Sequence, residues 1–342
     1  MKALVIHAAQ DLRLEDRPDP QPGPGQLLLR LATGGICGSD LHYMNHGGFG
    51  AVRLKEPMIL GHEVSAHVEA VGPGVTGFTP GQLVAVSPSR PCRTCRYCHA
   101  GLPNHCLTMR FYGSAMPFPH VQGAFRQLLV ADVGQCVDAT GLEPGQAAMA
   151  EPLAVALHAT LRAGTMMGAR VLVTGCGPIG LLSILAARRA GAVQVVAADL
   201  FDYTLNLARR IGADTTVNLK DDPEGLAAYG ADKGHFDVLY ECSGAQPALV
   251  AGIAAMRPRG TVLQLGLGGD MSLPMMMLTA RELDLRGSFR FHAEFATAVS
   301  LMQQELINVA PLISHTVELE DAVSGFKLAS NRSNAMKVQI RF

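Results

Sequence analysis

The chain has 342 residues, 28 Lys and Arg against 29 Asp and Glu, a formal net charge of -1 and 48% hydrophobic residues. That length accommodates two domains of about 100–200 residues. The balanced charge excludes a surface built to coat nucleic acid or adhere to a membrane, and a 17% charged content excludes a chain dominated by disorder.

No apolar run reaches the ~18–20 residues needed to cross a bilayer. Ala3–Ile6 stops at His7, and the apolar stretch near residue 150 is broken by Glu151, His158 and Arg162. Without a secretory pattern at the start, the expectation is a soluble cytoplasmic protein.

Residues 1–145 read as short strands, among them Leu27–Leu31, Val64–Val71, Leu83–Val86 and Phe125–Val130, separated by turns such as Pro22–Gly25, Gly72–Gly74 and Pro80–Gly81. No helix of any length is expected before about residue 140. The pattern then changes to helix at Gln146–Ala163, strand at Val171–Thr174, helix at Ile179–Ala190, strand at Val193–Ala198, helix at Tyr203–Ile211 and strand at Thr215–Asn218. Strands at Phe236–Tyr240 and Thr261–Gln264 flank a helix at Pro247–Met256, and a sixth strand is expected at Leu283–Arg286. Continuous Val/Ile/Leu strands alternating with helices specify a parallel sheet covered on both faces, an α/β architecture. Helical stretches at Phe295–Leu306 and Ala322–Leu328 and a strand at Ala335–Ile340 read as a return to the first domain. The division is therefore 1–145 with 286–342, and 146–285.

Four of the eight cysteines, Cys92, Cys95, Cys98 and Cys106, fall within fifteen residues as C-x2-C-x2-C-x7-C. In a reducing compartment this spacing is a metal-ligand pattern, and four thiolates close a tetrahedral structural zinc site. An iron–sulfur cluster is the main alternative and a disulfide framework a weaker one. Cys136, Cys176 and Cys242 stand alone in apolar stretches and read as small buried hydrophobes.

Gly175-Cys176-Gly177-Pro178-Ile179-Gly180 fits G-x-G-x-x-G, directly after an apolar strand and opening a helix, with Asp199 ending the next strand. The first glycine makes the turn, the second admits a pyrophosphate and the third packs helix on strand. The helix N-terminus offers N–H groups to phosphate, and Asp199 can accept hydrogen bonds from an adenosine ribose. Ser243 and Gly266 follow later strands, where strand C-termini face the ligand crevice.

Cys37, His62, Glu63 and Glu151 supply the mixed sulfur, nitrogen and oxygen donors of a catalytic zinc with an open position. Each alone has a bland alternative: a buried thiol, a hydrogen-bonded imidazole, a surface pair. Together with the cysteine quartet and the glycine fingerprint they carry more weight.

In this order of motifs the whole chain resembles the zinc-containing medium-chain dehydrogenases, and within them the enzymes of polyols and sugar acids. The resemblance implies a GroES-like, partly open β-barrel catalytic domain holding both zincs and a Rossmann doubly wound parallel sheet holding NAD, with NADP the weaker alternative. It implies that Cys37 and His62 ligate the catalytic zinc, with Glu63 a third ligand and Glu151 ligating directly or holding bound water. Ser39 and His42 would form a proton relay through the cofactor ribose, and Ser288 would lie at the cofactor. Tyr43, Arg110 and Arg290 are candidates for substrate oxygens, the arginines for a carboxylate. The Met275–Leu278 run reads as core or subunit contact, in a homodimer or homotetramer. The chain departs from the family pattern at Ala66, where a glycine is usual, and at Gln82, where an aspartate is usual. Neither is a ligand.

Overall fold

A computed structural model describes residues 1–342. Strands β1 (Lys2–Ala8) and β2 (Asp11–Asp16) form a hairpin joined by the short strand Met58–Ile59. The first large sheet is built from β3 (Gln26–Gly35), β4 (Glu63–Val71), β5 (Leu83–Val86), β6 (Leu128–Asp132) and β7 (Cys136–Asp138). It is completed by two strands from the other end of the chain, β14 (Ile313–Glu318) and β15 (Lys337–Arg341). The order is β7-β5-β4-β3-β15-β14, with β6 also pairing β3. Central β3 alternates with no solvent face over Leu27, Leu28 and Leu29, which are all buried, as a strand packed on both sides requires.

Apart from single turns such as Arg96–His99 and Pro103–His105, one longer helix interrupts this part of the chain, contrary to the expectation from sequence: α1 (Gly38–His46). Its segment carries no apolar stripe, and only Asp40, Tyr43 and Met44 turn inward. The helix is fixed at its start by the Asp40 carboxylate accepting the Cys37 N–H at 3.0 Å, and at its end by Gly47 in the left-handed region at φ 67°.

After the single turn α2 (Pro144–Ala148), helix α3 (Ala150–Ala163) leads into β8 (Arg170–Thr174), α4 (Pro178–Arg189), β9 (Gln194–Asp199), α5 (Asp202–Arg210) and β10 (Thr215–Asn218). The chain then crosses to β11 (Phe236–Glu241), α6 (Gln246–Ala254), β12 (Met256–Gln264), α7 (Met275–Ala280) and β13 (Asp284–Gly287). All six strands are parallel in the order β10-β9-β8-β11-β12-β13. The order reverses between β8 and β11, and a ligand crevice opens at such a point.

Helix α8 (Glu294–Gln303) lies on α3, and its Phe295 and Val299 share a core with Val171 and Val173 of the parallel sheet. Helix α9 (Ala322–Ala329) precedes β15. Cys136 and Cys176 are buried, as expected, whereas Cys242 is only half-buried, just past the end of β11 where the crevice opens. In the methionine run Leu278 is buried while Met275 and Met276 are exposed. No helix is long and apolar enough to cross a membrane.

The seam between α3 and α8 carries a titratable link. His158 Nδ1 lies 3.0 Å from Glu294 Oε1, and Glu294 Oε2 accepts the His292 N–H at 2.8 Å. Burial works against this carboxylate, but the His158 hydrogen bond and the His292 N–H outweigh it and hold Glu294 down to about 2. A depressed carboxyl stabilises the fold above its unfolded value and loses that contribution as pH falls through its folded value. Glu294→Gln is therefore expected to melt below wild type at pH 7. The gap should close between about pH 4.5 and pH 2, as read from melting temperature against pH.

Candidate active site

The turn that starts α1 brings Cys37 to the head of β4, where His62 and Glu63 lie. One ligand atom from each of Cys37, His62 and Glu63 falls within 4.8 Å of the others. Asp40, fully buried, holds both arms together, for its Oδ1 accepts the Gly61 N–H at 3.2 Å while its Oδ2 accepts that of Cys37. His62 Nδ1 lies 3.8 Å from Asp40 and is buried without a hydrogen-bond partner. Glu151, in the first turn of α3, is buried nearby.

Lys337, which no local pattern marks, meets this cluster from β15. Its Nζ donates to Glu63 Oε1 at 2.9 Å and Oε2 at 2.6 Å, and to the Ile36 carbonyl at 3.3 Å, with both side chains almost fully buried. Burial would push the ammonium down, but Glu63 and Cys37 outweigh it and hold Lys337 above its ordinary value. Burial and the neighbouring Glu63 push the Cys37 thiol up to about 12. Burial, with Glu63 and Cys37 adding to it and His62 opposing, pushes Glu151 up to about 8. Four acidic groups thus face one lysine and one histidine in a dry space. A divalent cation would restore the balance, and a thiolate, an imidazole and carboxylates are the donors zinc takes.

The cysteine quartet also assembles: all four sulfurs lie within 4.8 Å of one another. Cys95 and Cys98 Sγ are 3.6 Å apart and Cys92 and Cys98 Sγ 4.0 Å apart, and all eight cysteines are free. Tetrahedral zinc with bonds of about 2.3 Å sets its sulfurs about 3.8 Å apart, so the spacing fits one shared ion. Cys92 Sγ accepts the Thr94 and Cys95 N–H groups at 3.4 and 3.3 Å, and Cys106 Sγ that of Cys92 at 3.2 Å.

The fingerprint loop sits at the crevice between β8 and β11. Gly175 has φ 83°, and a Cβ there would lie 2.6 Å from the Ser243 nitrogen. Gly177 caps α4 with Pro178 in its first turn; Ile179 follows and Gly180 is buried against Gly175. Asp199 ends β9 with its carboxylate on the loop, accepting the Cys176 N–H at 2.5 Å and the Leu200 N–H at 2.6 Å. Gly266 packs on Gly244, and the Ser288 hydroxyl is buried without a partner. Sequence reasoning missed Arg332, whose Nη1 is 2.5 Å from where a Gly177 Cβ would stand and which lines a small cavity with Gly38 and Pro178. That guanidinium faces the N-terminus of α4, where a phosphate would sit.

Ser39 and His42 lie in the first turns of α1, Ser39 half-buried and His42 exposed. Burial, then His46 and Arg332, push His42 down. The Tyr43 hydroxyl accepts the Ala115 N–H at 3.0 Å. Arg290, in the left-handed region at φ 57°, places its guanidinium 4.2 Å from the Phe111 ring centre, and that ring stands 5.6 Å from His62. Burial lowers Arg290 to about 10, with Glu151 and Tyr43 opposing. Arg110 is not brought in: it is exposed on a two-residue strand whose other member, Phe111, turns inward, so strand alternation sends it to the opposite face. A separate cavity of about 500 Å3 lies elsewhere, beside Ser87, Arg93 and His292.

Residues 23–141 match the family profile described as alcohol dehydrogenase GroES-like domain, and residues 178–304 that described as zinc-binding dehydrogenase. Escherichia coli (strain K12) L-idonate 5-dehydrogenase (NAD(P)(+)) is 42% identical, over 92% of this chain and 91% of its own. Sorbitol dehydrogenase of Gallus gallus is 39% identical, over 99% of this chain and 96% of its own. The crystal structure of L-idonate 5-dehydrogenase from Escherichia coli superimposes with a TM-score of 0.96 at 39% identity, over 100% of this chain and 98% of that one.

Breaking the Lys337–Glu63 pair from one side strands a buried charge. Lys337→Met is expected to cost about 3–5 kcal/mol in denaturant unfolding. Adding Glu63→Gln should return much of it, because the second change removes the stranded carboxylate; additive losses would count against the pairing.

Proposed function

The chain belongs to the zinc-binding alcohol dehydrogenase family, and from that premise we propose that it catalyses reversible hydride transfer between NAD(H) and a secondary alcohol of a sugar acid, L-idonate oxidised at carbon 5 to 5-keto-D-gluconate. The observation that carries the sugar-acid reading is Arg290, a half-buried guanidinium 4.2 Å from the centre of the Phe111 ring, which itself stands 5.6 Å from the His62 ring of the cluster. Its planar fork of donors suits a carboxylate. The likeness to the Escherichia coli enzyme supports the same substrate. The likeness to sorbitol dehydrogenases favours a second reading, an uncharged polyol such as sorbitol or xylitol whose hydroxyls Arg290 would bind.

Residues 1–145 and 286–342 form the catalytic unit in this reading and residues 146–285 the dinucleotide unit, with α3 and α8 at their seam. Cys37, His62 and Glu63 would hold a catalytic zinc, with Glu151 beside it, and Cys92, Cys95, Cys98 and Cys106 a structural one. When bound, the catalytic ion supplies Lewis-acid polarisation of an alcohol oxygen. Arg290 and Tyr43 orient the substrate. Ser39 would accept the hydroxyl proton and His42, with its exposed ring, would release a proton to solvent. Gly175, Gly177 and Gly180 would admit a pyrophosphate to the head of α4, and Asp199 would hold the adenosine ribose. The exposed Met275 and Met276 would meet a second copy of the chain in a dimer or tetramer.

Two zinc ions per chain are expected by elemental analysis. Cys95→Ser should lose one ion and lower the melting temperature, whereas Cys37→Ser should abolish turnover and leave most of the fold intact. One ion in a fully active preparation would refute this.

The experiment that tests the function is a substrate panel of L-idonate, D-gluconate, sorbitol, xylitol and L-threonine with NAD and with NADP. L-Idonate should give the highest kcat/KM, and Arg290→Ala should cut it far more than it cuts any residual polyol activity. A better rate with sorbitol or xylitol replaces the sugar acid with a polyol. After Asp199 come Leu200, Phe201, Asp202 and Tyr203, with no cation for a 2′-phosphate. NAD should therefore exceed NADP by at least about tenfold in kcat/KM, or ~1.4 kcal/mol, and Asp199→Ala should narrow the gap.

A further inference from the structure

Glu241 ends β11 and is fully buried, and no lysine, arginine or histidine pairs with it. Its Oε1 accepts the Ser243 N–H at 2.9 Å and the Ser243 hydroxyl, and both its oxygens lie 3.1 Å from the Gly244 nitrogen. Its Oε2 accepts from Gln264 Nε2 at 2.7 Å, and the same Nε2 donates to the Gly266 carbonyl at 2.9 Å. Both neighbours of that amide are acceptors only, so its nitrogen must face them, and its Oε1 is left buried without a partner.

This contact joins the loops that leave three strands. The Cys242 N–H reaches the Thr174 carbonyl of β8 at 2.8 Å, and the Leu265 and Gly266 N–H groups reach the Glu241 carbonyl at 2.9 Å. The Ser288 N–H reaches the Gln264 carbonyl at 3.1 Å. Gly175 packs on Ser243, and Gly266 on Gly244, without space for a Cβ. These loops form the wall of the crevice across the switch point from Asp199, the half of the site left for the nicotinamide end once the adenosine ribose lies on Asp199. A buried carboxylate without a counter-ion is costly, and apolar side chains would pack three strands together more cheaply. What the carboxylate adds is direction, since it aims two N–H groups, one hydroxyl and one amide at a single point.

We propose that Glu241 and Gln264 are a positioning pair that sets the nicotinamide-side wall of the dinucleotide crevice, and with it cofactor affinity, without touching the reacting atoms. The proposal rests on the dinucleotide reading of the fingerprint.

The test titrates zinc-loaded enzyme with NADH, followed by its fluorescence, in wild type, Glu241→Gln, Gln264→Glu and the double exchange. Glutamine at 241 sets N–H against N–H, and glutamate at 264 sets carboxylate against carboxylate. Each single variant should raise the Kd for NADH at least about tenfold. The double exchange restores a donor–acceptor contact between the two side chains but leaves a carboxylate facing the Gly266 carbonyl, so it should bind at least about fivefold tighter than Gln264→Glu. The kcat at saturating cofactor should stay within about threefold of wild type, a split that general loss of structure would not produce. Wild-type affinity in both single variants, a double exchange no tighter than Gln264→Glu, or a loss confined to kcat would overturn the proposal. Should Glu241→Gln not fold, Gln264→Leu, which removes only the amide, must still weaken NADH at least about threefold, and wild-type affinity there overturns it equally. Absence of NADH binding by wild type would instead overturn the dinucleotide reading, and this proposal with it.

Discussion

The pairing of Lys337 with Glu63 is the constraint on which the catalytic half depends. The two residues are 274 positions apart, and they meet because β15 and β4 flank β3 on opposite sides. The strand between them must end in residues small enough to let an ammonium through. Gly35 serves this purpose, since a Cβ there would collide with the Glu63 carboxylate. Two residues later the chain turns into Cys37, so the strand that makes room for the ion pair also delivers the thiol. Lys337 therefore anchors Glu63, and its hydrogen bond to the Ile36 carbonyl anchors the approach to Cys37. A single buried cation thus holds two of the three members of the cluster in register.

The nucleotide half solves a different problem by different means. Its ligand approaches backbone, so it uses glycine where loops touch and carboxylates where loops must be aimed. Asp199 and Glu241 stand on either side of the switch point and each gathers N–H groups from its own and a neighbouring strand end. The two halves face each other at the starts of α1 and α4, with Arg332 between them.

What was legible in the sequence was what is local. The cysteine quartet, the glycine fingerprint and the apolar strands of the parallel sheet each occupy a short window, and five of the six strands begin within two residues of where the pattern put them. The exception, β12, starts five residues early, at Met256, where a helix was expected to end, and runs through Pro258 and Gly260. Helix α1 was hidden because its stability comes from an Asp40 cap and two inward side chains, with no stripe to see. Lys337, Arg332 and Glu241 were hidden for a stronger reason: charged residues are expected at the surface, and only the partner across the fold shows why each is not there or what it faces. Arg110 was a second candidate because of the stretch it lies in, and the parity of its two-residue strand leaves it exposed while Phe111 turns inward.

The cysteine lobe also gains a purpose beyond its own stability. Asn104, within the loop that closes the quartet, donates to the Phe289 carbonyl at 3.1 Å, and the His105 ring stacks on Phe289 with centres 6.1 Å apart. Phe289 directly precedes Arg290, whose guanidinium lies over both Phe289 and Phe111. The lobe thus braces the arm that carries the carboxylate-binding candidate, while the Cys37–His62–Glu63 cluster is braced from β15. In the proposed reading, substrate selection and bond chemistry would hang from separate supports. The arm after β13 can change its side chains to suit a hydroxyl or a carboxylate without moving a ligand of the cluster, so chains with this site can share one chemistry and differ in the polyol or sugar acid they accept.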